Sequence, residues 1–240
     1  MTESIAQYID HAVLHPTQTL AALEAACTLC DKLGVASICV KPSMVSRAAE
    51  LLAKSSVKVS TVIGFPHGGT STAAKAAEAE QACQDGAVEL DMVVNIGRTL
   101  ASDWPYVEED IRQVVAVATE HDAIVKVIFE TGLLQSEEQK IELCGCSERA
   151  GAEFVKTSTG FGFVKSAEGT LQSTGATRDD IRLMRKHFSR GVKASGGIRS
   201  LTDARAFIGL GASRLGTSST EALVLEEQGS GTAAESNTNY

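Results

Sequence analysis

The chain has 240 residues and a formal net charge of −8, with 43% hydrophobic and 22% charged residues. This balance is typical of a globular protein, and an acidic chain without a block of lysines and arginines argues against nucleic acid or an anionic membrane as a partner. No apolar run is long enough to cross a membrane, and the N-terminal MTESIAQYIDHAVL lacks the segments of a secretion signal. We therefore expect a cytoplasmic protein.

Eight short runs along the chain have the residue pattern of strands. They are Ile9–Leu14, LGVASICVK (33–41), Val57–Phe65, DGAVELDMV (85–93), Ala123–Glu130, AGAEFVKTS (150–158), Gly191–Ala194 and LGASRLGTS (210–218). In four of them a glycine closes a helical segment just before the strand begins.

Helical patterns lie between these runs. One apolar stripe consists of Val107, Ile111, Val114 and Ala118, and Ser136, Thr177 and Ser200 are placed to cap the helices that follow them. Strict alternation of strand and helix predicts parallel strands with crossover helices. Eight such units favour an α/β fold of one domain, a (β/α)₈ TIM barrel over residues 1–228. The unpatterned residues 229–240 read as a flexible C-terminal tail.

An open, doubly wound sheet is the structural alternative to the barrel. Its dinucleotide-binding fingerprint is missing, because Gly209, Gly211 and Gly216 have the wrong spacing and precede a strand. The six cysteines offer no second pair at metal-ligand spacing to match Cys27 and Cys30, which continue an apolar helical stripe. We expect buried thiols in a reducing compartment and no bound metal.

Three predicted strands contain a charge where the apolar run should be unbroken: Asp91, Lys156 and Lys193. A charge facing the helix layer would be unpaired in apolar surroundings, so a position in the barrel interior has the lower free-energy cost. A structural ion pair of Asp91 with one lysine is the simpler interpretation, but it leaves the other lysine uncompensated. Two neighbouring buried lysines disfavour each other's protonation, and a neutral lysine can attack a carbonyl to form a Schiff base.

A further strand lysine, Lys126, has Glu130 as its candidate partner, and we expect both residues to have supporting or structural roles. Glycines and small hydroxylic residues follow the seventh and eighth strands, where barrels frequently bind phosphate. Gly196 and Gly197 lie in ASGGIRS, and Ser218 and Ser219 open the last helix. These residues could also serve only as turns and caps, but their joint position favours a phosphate site.

The chain resembles the deoxyribose-phosphate aldolases over nearly its full length. The matching segments are IDHAVLHP, ELDMVVNIG, VKVIFETGLL, EFVKTSTGFG, GATRDDIRLMRK, VKASGGIRS and LGTSSTEAL. The resemblance implies reversible cleavage of 2-deoxy-D-ribose 5-phosphate into D-glyceraldehyde 3-phosphate and acetaldehyde by a metal-independent, Schiff-base mechanism without a cofactor. It leaves the oligomeric state open, with a homodimer as one option.

Carried over by motif, the resemblance makes Lys156 the Schiff-base lysine, which Lys193 activates by depressing its pKa. Asp91 would relay protons, and Gly196, Gly197, Ser218 and Ser219 would bind the phosphate. Tyr240 stands where some members have a tail tyrosine that helps to move a proton of the acetaldehyde carbon.

The chain departs from the family pattern in two places. The segment GFGFVKSAEGTLQSTGAT after the sixth strand is longer than usual, and His15 stands where relatives often have lysine. His67, at another strand end, is expected to be a loop residue rather than a catalyst. Two rival functions remain open: a pyridoxal-phosphate enzyme, which also needs a lysine and a phosphate site on a barrel, and a non-catalytic sensor of sugar phosphates.

Overall fold

Eight parallel strands close into a barrel in the computed structural model, which describes residues 3–134, 136–166 and 169–229. In chain order the barrel strands are β1 (Ile9–Val13), β2 (Ser37–Val40), β3 (Lys58–Ile63), β4 (Glu89–Val93), β5 (Ile124–Ile128), β6 (Phe154–Lys156), β9 (Gly191–Ser195) and β10 (Arg214–Thr217). Neighbours in sequence are neighbours in the barrel, and β10 pairs with β1 to close it. The predicted TIM barrel is confirmed, and the open sheet is wrong.

Nine α-helices accompany the strands in the described part of the chain. They are α1 (Leu20–Leu33), α2 (Val45–Leu51), α3 (Thr72–Gln84), α4 (Ile96–Leu100), α5 (Trp104–Glu120), α6 (Glu137–Ala150), α7 (Arg178–His187), α8 (Leu201–Gly209) and α9 (Thr220–Glu227). The side chains of Ser136, Thr177 and Ser200 accept hydrogen bonds from the backbone at the starts of α6, α7 and α8. These three predicted caps are confirmed.

Alternation along each strand separates the apolar core from a polar barrel interior. In β4, Leu90 and Met92 are fully buried in the hydrophobic core, whereas Glu89 and Asp91 join ion pairs with residues of other barrel strands. Because successive strand residues point to opposite faces, one short run supplies both layers. The charged residues therefore collect along the barrel axis.

The long segment after β6 folds into a hairpin that the sequence patterns did not predict. Strands β7 (Phe163–Lys165) and β8 (Leu171–Ser173) pair antiparallel and form a small sheet separate from the barrel. Every residue of the two strands is exposed or half-buried, so no buried face imposes an alternation of apolar and polar residues. The hairpin lies between β6 and α7, at the end of the barrel where β6 finishes.

All six cysteines are unpaired thiols, and all but the half-buried Cys83 are buried. Burial raises the pKa of Cys30 to about 12, so its thiol is held in the protonated form. The prediction of buried thiols is thus confirmed for five of the six. No helix among the described residues is long and apolar enough to cross a membrane. Of the predicted tail, 229–240, only Gly229 is described, so the division of the chain at residue 228 remains a prediction.

Candidate active site

A cavity of about 270 Å³ opens at the carboxyl ends of the barrel strands. Lys156, the last residue of β6, and Lys193, in the middle of β9, lie at its base and are almost fully buried. The loops after β6, β9 and β10 and the second arm of the hairpin supply its walls. This is the end of the barrel at which enzymes of this fold place their active sites.

Asp91 joins the two lysines. Its Oδ2 atom lies 2.7 Å from the Nζ atom of Lys156 and 2.7 Å from that of Lys193. The lysines are register partners on the adjacent strands β6 and β9, while Asp91 reaches them from β4 across the barrel interior. Three of the predicted site residues are therefore in direct contact.

The surroundings push the pKa values of the two lysines in opposite directions. Burial lowers the pKa of Lys156, and the charge of Lys193 acts in the same direction against the opposing effect of Asp91. Burial also acts to lower the pKa of Lys193, but Asp10 and Asp91 outweigh it and raise that pKa. Lys193 therefore stays charged, and Lys156 is the lysine that more readily becomes a neutral amine.

A second carboxylate at this site, Asp10 of β1, was not among the predicted residues. Its Oδ2 atom lies 2.5 Å from the Nζ atom of Lys193 and 3.1 Å from that of Lys126. Asp10 thus compensates Lys193, which corrects the argument that one strand lysine would remain uncompensated. The signal was present in the sequence, since Asp10 interrupts the apolar run IDHAV as Asp91 interrupts VELDMVV.

Lys126 lies deeper in the barrel, and the predicted pairing of Lys126 with Glu130 is wrong. Its Nζ atom lies 2.6 Å from Glu89 Oε2 and 2.9 Å from Asp91 Oδ1. Strand residues four apart are separated by about 13 Å, so partners across the barrel are closer than a partner along the strand. Together the three lysines hold the pKa of Asp91 well below its usual range, although burial opposes them.

The predicted phosphate residues line one side of the cavity. Gly196 and Gly197 have φ angles of 91° and 79°, a conformation that favours glycine. Ser218 and Ser219 also line the cavity and precede the first residue of α9, so the positive end of its dipole faces this region. The structure adds Arg199, an exposed cation on the cavity wall that forms no ion pair within the described residues.

A model of the DeoC/LacD family aldolases matches residues 4–218, nearly the whole of the barrel. The chain belongs to this aldolase family. Among curated relatives, the deoxyribose-phosphate aldolase of Clostridium perfringens (strain SM101 / Type A) is 46% identical over 223 residues, which cover 92% of this chain and 94% of the relative. The enzyme of that name from Thermococcus gammatolerans is 49% identical over 219 residues, covering 90% and 92% of the two chains.

Solved structures of similar proteins agree with the family assignment. A putative deoxyribose-phosphate aldolase from Coccidioides immitis superposes with a TM-score of 0.86 at 38% identity, over 95% of this chain and 87% of that one. A deoxyribose phosphate aldolase from Aeropyrum pernix, described as tetrameric, gives a TM-score of 0.83 at 31% identity, over 93% and 91% of the two chains. The resemblance noted in the sequence is confirmed.

The sequence also singled out His15, His67 and Tyr240. His15 lines the aldolase cavity, and its Nδ1 atom lies 2.7 Å from Thr17 Oγ1. His67 is a loop residue, as predicted, and lines a separate depression beside Phe65 and Glu78. Tyr240 lies outside the described residues.

Two further features bear on the chemistry of this aldolase cavity. Arg199 was not predicted as a ligand, although a cation two residues after the glycine pair of ASGGIRS was a usable signal. Within the described residues, no group of three or more histidine, cysteine, aspartate or glutamate side chains is arranged to hold a metal ion. Independence of metal and cofactor remains a prediction.

Proposed function

We propose that this chain cleaves 2-deoxy-D-ribose 5-phosphate reversibly into D-glyceraldehyde 3-phosphate and acetaldehyde through a Schiff base on Lys156. The observation that carries the proposal is the shared oxygen of Asp91, which contacts both Lys156 and Lys193 at 2.7 Å at the base of the cavity. The family match and the names of the relatives supply the reaction class and the substrate.

Imine formation begins with attack of the neutral Lys156 amine on C1 of the open-chain sugar. The attacking nitrogen passes one proton to the former carbonyl oxygen, which gives the carbinolamine, and a second proton on that hydroxyl lets it leave as water and leaves a protonated imine. Asp91 is the carboxylate nearest to this nitrogen, and we assign the proton relay to it. Lys193 stays positively charged beside it, which favours the uncharged amine of Lys156 before attack.

Bond cleavage then uses the imine as an electron sink. The C3 hydroxyl loses its proton, the C2–C3 bond breaks, and its electron pair moves into the iminium to give an enamine and D-glyceraldehyde 3-phosphate. Protonation of the enamine at C2 and hydrolysis of the imine release acetaldehyde and the free lysine. We assign the C2 proton to Tyr240 on the family resemblance alone.

The sugar phosphate occupies the side of the cavity formed by Gly196, Gly197, Ser218 and Ser219. Backbone amides at this side and the N-terminus of α9 suit a dianion, and the guanidinium of Arg199 adds a full positive charge. Remote phosphate binding holds the reacting C1 atom over Lys156, so its energy contributes to catalysis as well as to affinity.

Borohydride reduction in the presence of acetaldehyde tests the proposal. An imine on Lys156 is reduced to a stable secondary amine, so the protein gains one ethyl group, and peptide mass analysis locates it. A pyridoxal-phosphate enzyme would instead show a visible chromophore, and a sensor would bind the sugar phosphate without trapping acetaldehyde. Unmodified protein after reduction, or an ethyl group on another lysine, contradicts the assignment.

Three further expectations belong to this proposal. Activity should survive exhaustive chelation, and activity lost to a chelator and restored by zinc would contradict the Schiff-base mechanism.

The sequence leaves a homodimer as one option, while the Aeropyrum pernix relative is described as tetrameric, so light scattering on this chain must decide. The cytoplasmic location also remains a prediction.

A further inference from the structure

Glu130 is a buried carboxylate without a cation beside it in the described part of the chain. It is 1% exposed and lies just beyond the end of β5. Its φ angle is 54°, whereas the other two non-glycine residues described with positive φ, Ser102 and Asp122, are exposed turn residues. An uncommon backbone conformation combined with a buried charge requires a compensating structure around it.

The carboxylate of Glu130 is compensated by hydrogen bonds from two threonines. Its Oε2 atom accepts from the backbone nitrogen of Thr159, at 3.1 Å, and from the Thr159 hydroxyl. Its Oε1 atom accepts from the hydroxyl of Thr174 at 3.3 Å. Bonds to a charged acceptor are stronger than neutral ones, so these contacts fix both threonines firmly.

These two threonines lie on opposite sides of the β7–β8 hairpin. Thr159 lies before β7, and Thr174 directly follows β8. The backbone nitrogen of Thr174 donates to Gly162 O at 2.9 Å, which closes the base of the hairpin. A Cβ atom on Gly162 would lie 2.5 Å from the Thr174 hydroxyl, so only glycine allows this close approach.

The base of the hairpin is also a wall of the aldolase cavity. Thr159, Phe161, Ser173 and Thr174 all line it, and Thr159 is three residues from Lys156. Glu130 is not a lining residue. It therefore acts on the cavity only through the threonines that it holds.

The same wall is joined to the predicted phosphate loop. The backbone nitrogen of Ala176 donates to Gly196 O at 3.2 Å. A Cβ atom on Gly175 would lie 2.5 Å from that same oxygen, so the two loops are in close backbone contact. A shift of the hairpin base would thus move the loop that holds Gly196.

We propose that Glu130 is a positioning residue that clamps both ends of the β7–β8 hairpin and thereby sets the wall and the phosphate loop for a sugar-phosphate substrate. The proposal rests on the proposed function for its substrate. Acetaldehyde alone needs little more than the amine of Lys156, so loosening the clamp should spare imine formation while weakening the binding of the larger substrate.

Two substitutions of Glu130 test whether the length of its side chain matters apart from its charge and its backbone conformation. Glu130→Asn tolerates positive φ but is too short to bond both threonines. Glu130→Gln keeps the reach and can exchange hydrogen bonds with the rotatable hydroxyls of Thr159 and Thr174. Asp122→Asn is the matched control, because it places the same residue at an exposed position with a φ of 55°.

We expect Glu130→Asn to raise KM for 2-deoxy-D-ribose 5-phosphate by about tenfold or more, the loss expected when hydrogen bonds to a charged group are removed. Its rate of acetaldehyde trapping should stay within about twofold of the unmodified protein, since Lys156 is untouched and acetaldehyde carries no phosphate. Trypsin should cleave faster after the exposed Lys165 in the hairpin. Glu130→Gln and Asp122→Asn should stay close to the unmodified protein in all measurements.

An unchanged KM and an unchanged cleavage rate in Glu130→Asn would overturn the proposal. A parallel fall of trapping and sugar-phosphate binding would also overturn it, because Glu130 would then act on Lys156 or on the whole fold. Failure of the proposed function looks different: the unmodified protein itself would not trap acetaldehyde. In that case cleavage after Lys165 still decides whether Glu130 clamps the hairpin.

Discussion

Two buried lysines of this chain, Lys75 and Lys156, have contrasting surroundings. Lys75 of α3 is fully buried, and its Nζ atom lies 2.5 Å from Asp110 Oδ2 of α5 and 2.8 Å from Val93 O. It has one carboxylate to itself and does not line the aldolase cavity. Lys156 is 3% exposed, lines that cavity and shares one carboxylate oxygen with Lys193. Burial is common to both, so a competing cation and a position in the cavity wall are what set Lys156 apart from Lys75, and they support its proposed role as the nucleophile.

The largest expected effect comes from removing each lysine in turn. Lys156→Leu should abolish acetaldehyde trapping and lower kcat/KM by about 10⁴-fold or more at every pH, because the attacking nitrogen is gone. Lys75→Met should leave kcat/KM of the folded protein unchanged. It should instead lower the free energy of unfolding by about 3 kcal/mol, since Asp110 loses its buried partner. Borohydride trapping and chemical denaturation measure the two effects.

A control for stability is the double variant Lys75→Met with Asp110→Leu, in which both charges are removed. It should recover much of the lost stability, because no unpaired charge remains buried. Intact trapping in Lys156→Leu would remove this lysine from the chemistry. Loss of trapping in folded Lys75→Met would show that a buried lysine can form the imine without a competing cation beside it.

The second largest effect is the loss of activity in Lys193→Leu, which should be smaller at high pH than at neutral pH. Lys193→Leu removes the positive charge that helps to lower the pKa of Lys156, so this pKa should rise and less neutral amine should be present at pH 7. We expect a loss of roughly 100-fold at neutral pH, with activity returning by up to about tenfold per pH unit below the new pKa. A pH–rate profile of Lys193→Leu beside Lys156→Leu measures this.

The two profiles distinguish activation from attack. The activity of Lys156→Leu should be negligible at every pH, whereas the activity of Lys193→Leu should rise with pH. Trapping that is lost only in Lys193→Leu would exchange the roles of the two lysines. A flat, inactive profile for both variants would mean that Lys193 does more than adjust the charge of its neighbour.

How much of the fold and of the site can be predicted depends on how far apart in the sequence the contacting residues lie. The (β/α)₈ order follows from local patterns, because each barrel strand and each helix between the strands can be recognised from about ten consecutive residues. Asp91, Lys156 and Lys193 were found because a charge in a buried strand has few acceptable positions. Closure of the barrel then brings their strands together without further information.

The residues that were missed or misassigned depend on contacts across the barrel. Lys126 pairs with Asp10 of β1 and Glu89 of β4, and no local pattern links these strands. Glu130 seemed a partner for Lys126 only because it is near in sequence. The hairpin was missed because its strands bury no face, so their residues show no alternation of apolar and polar side chains.

A third prediction concerns a buried group whose titration affects stability rather than chemistry. Burial lowers the pKa of His11 to about 4, and its Nδ1 atom lies 2.8 Å from Thr220 Oγ1 at the start of α9. Between pH 6.5 and pH 4 the unfolded chain therefore binds more protons at this residue than the folded chain, so stability falls as pH falls through this window. The expected contribution is about 3 kcal/mol.

The measurement is the free energy of unfolding from denaturant titrations at pH 7 and pH 4. His11→Asn keeps a polar group near Thr220 but does not titrate, and its loss of stability between these pH values should be smaller by about 3 kcal/mol. Groups common to both proteins cancel in this difference. Equal losses in the two proteins would mean that His11 does not carry this pH dependence.

The smallest expected effect concerns the phosphate side of the cavity, away from both lysines. Ser218→Asp places a carboxylate where the sugar phosphate should lie, and like charges repel. We expect KM for 2-deoxy-D-ribose 5-phosphate to rise by about tenfold, the effect of about 1.4 kcal/mol, while KM for unphosphorylated deoxyribose changes far less. Gly197→Asp brings the same charge to the cavity but also strains the backbone at its φ of 79°, so Ser218→Asp is the cleaner test.

Ser213→Asp is the matched control for Ser218→Asp. Ser213 is exposed directly before β10, whereas Ser218 directly follows that strand, so the same new charge lies at the opposite end of the barrel. It should leave both KM values unchanged, because exposed charges more than about 10 Å apart are largely screened at ordinary ionic strength. If Ser218→Asp raised KM equally for both substrates, the phosphate would bind elsewhere. If Ser213→Asp raised KM for 2-deoxy-D-ribose 5-phosphate as much as Ser218→Asp does, the effect would come from the net charge of the protein and not from the position of the new carboxylate.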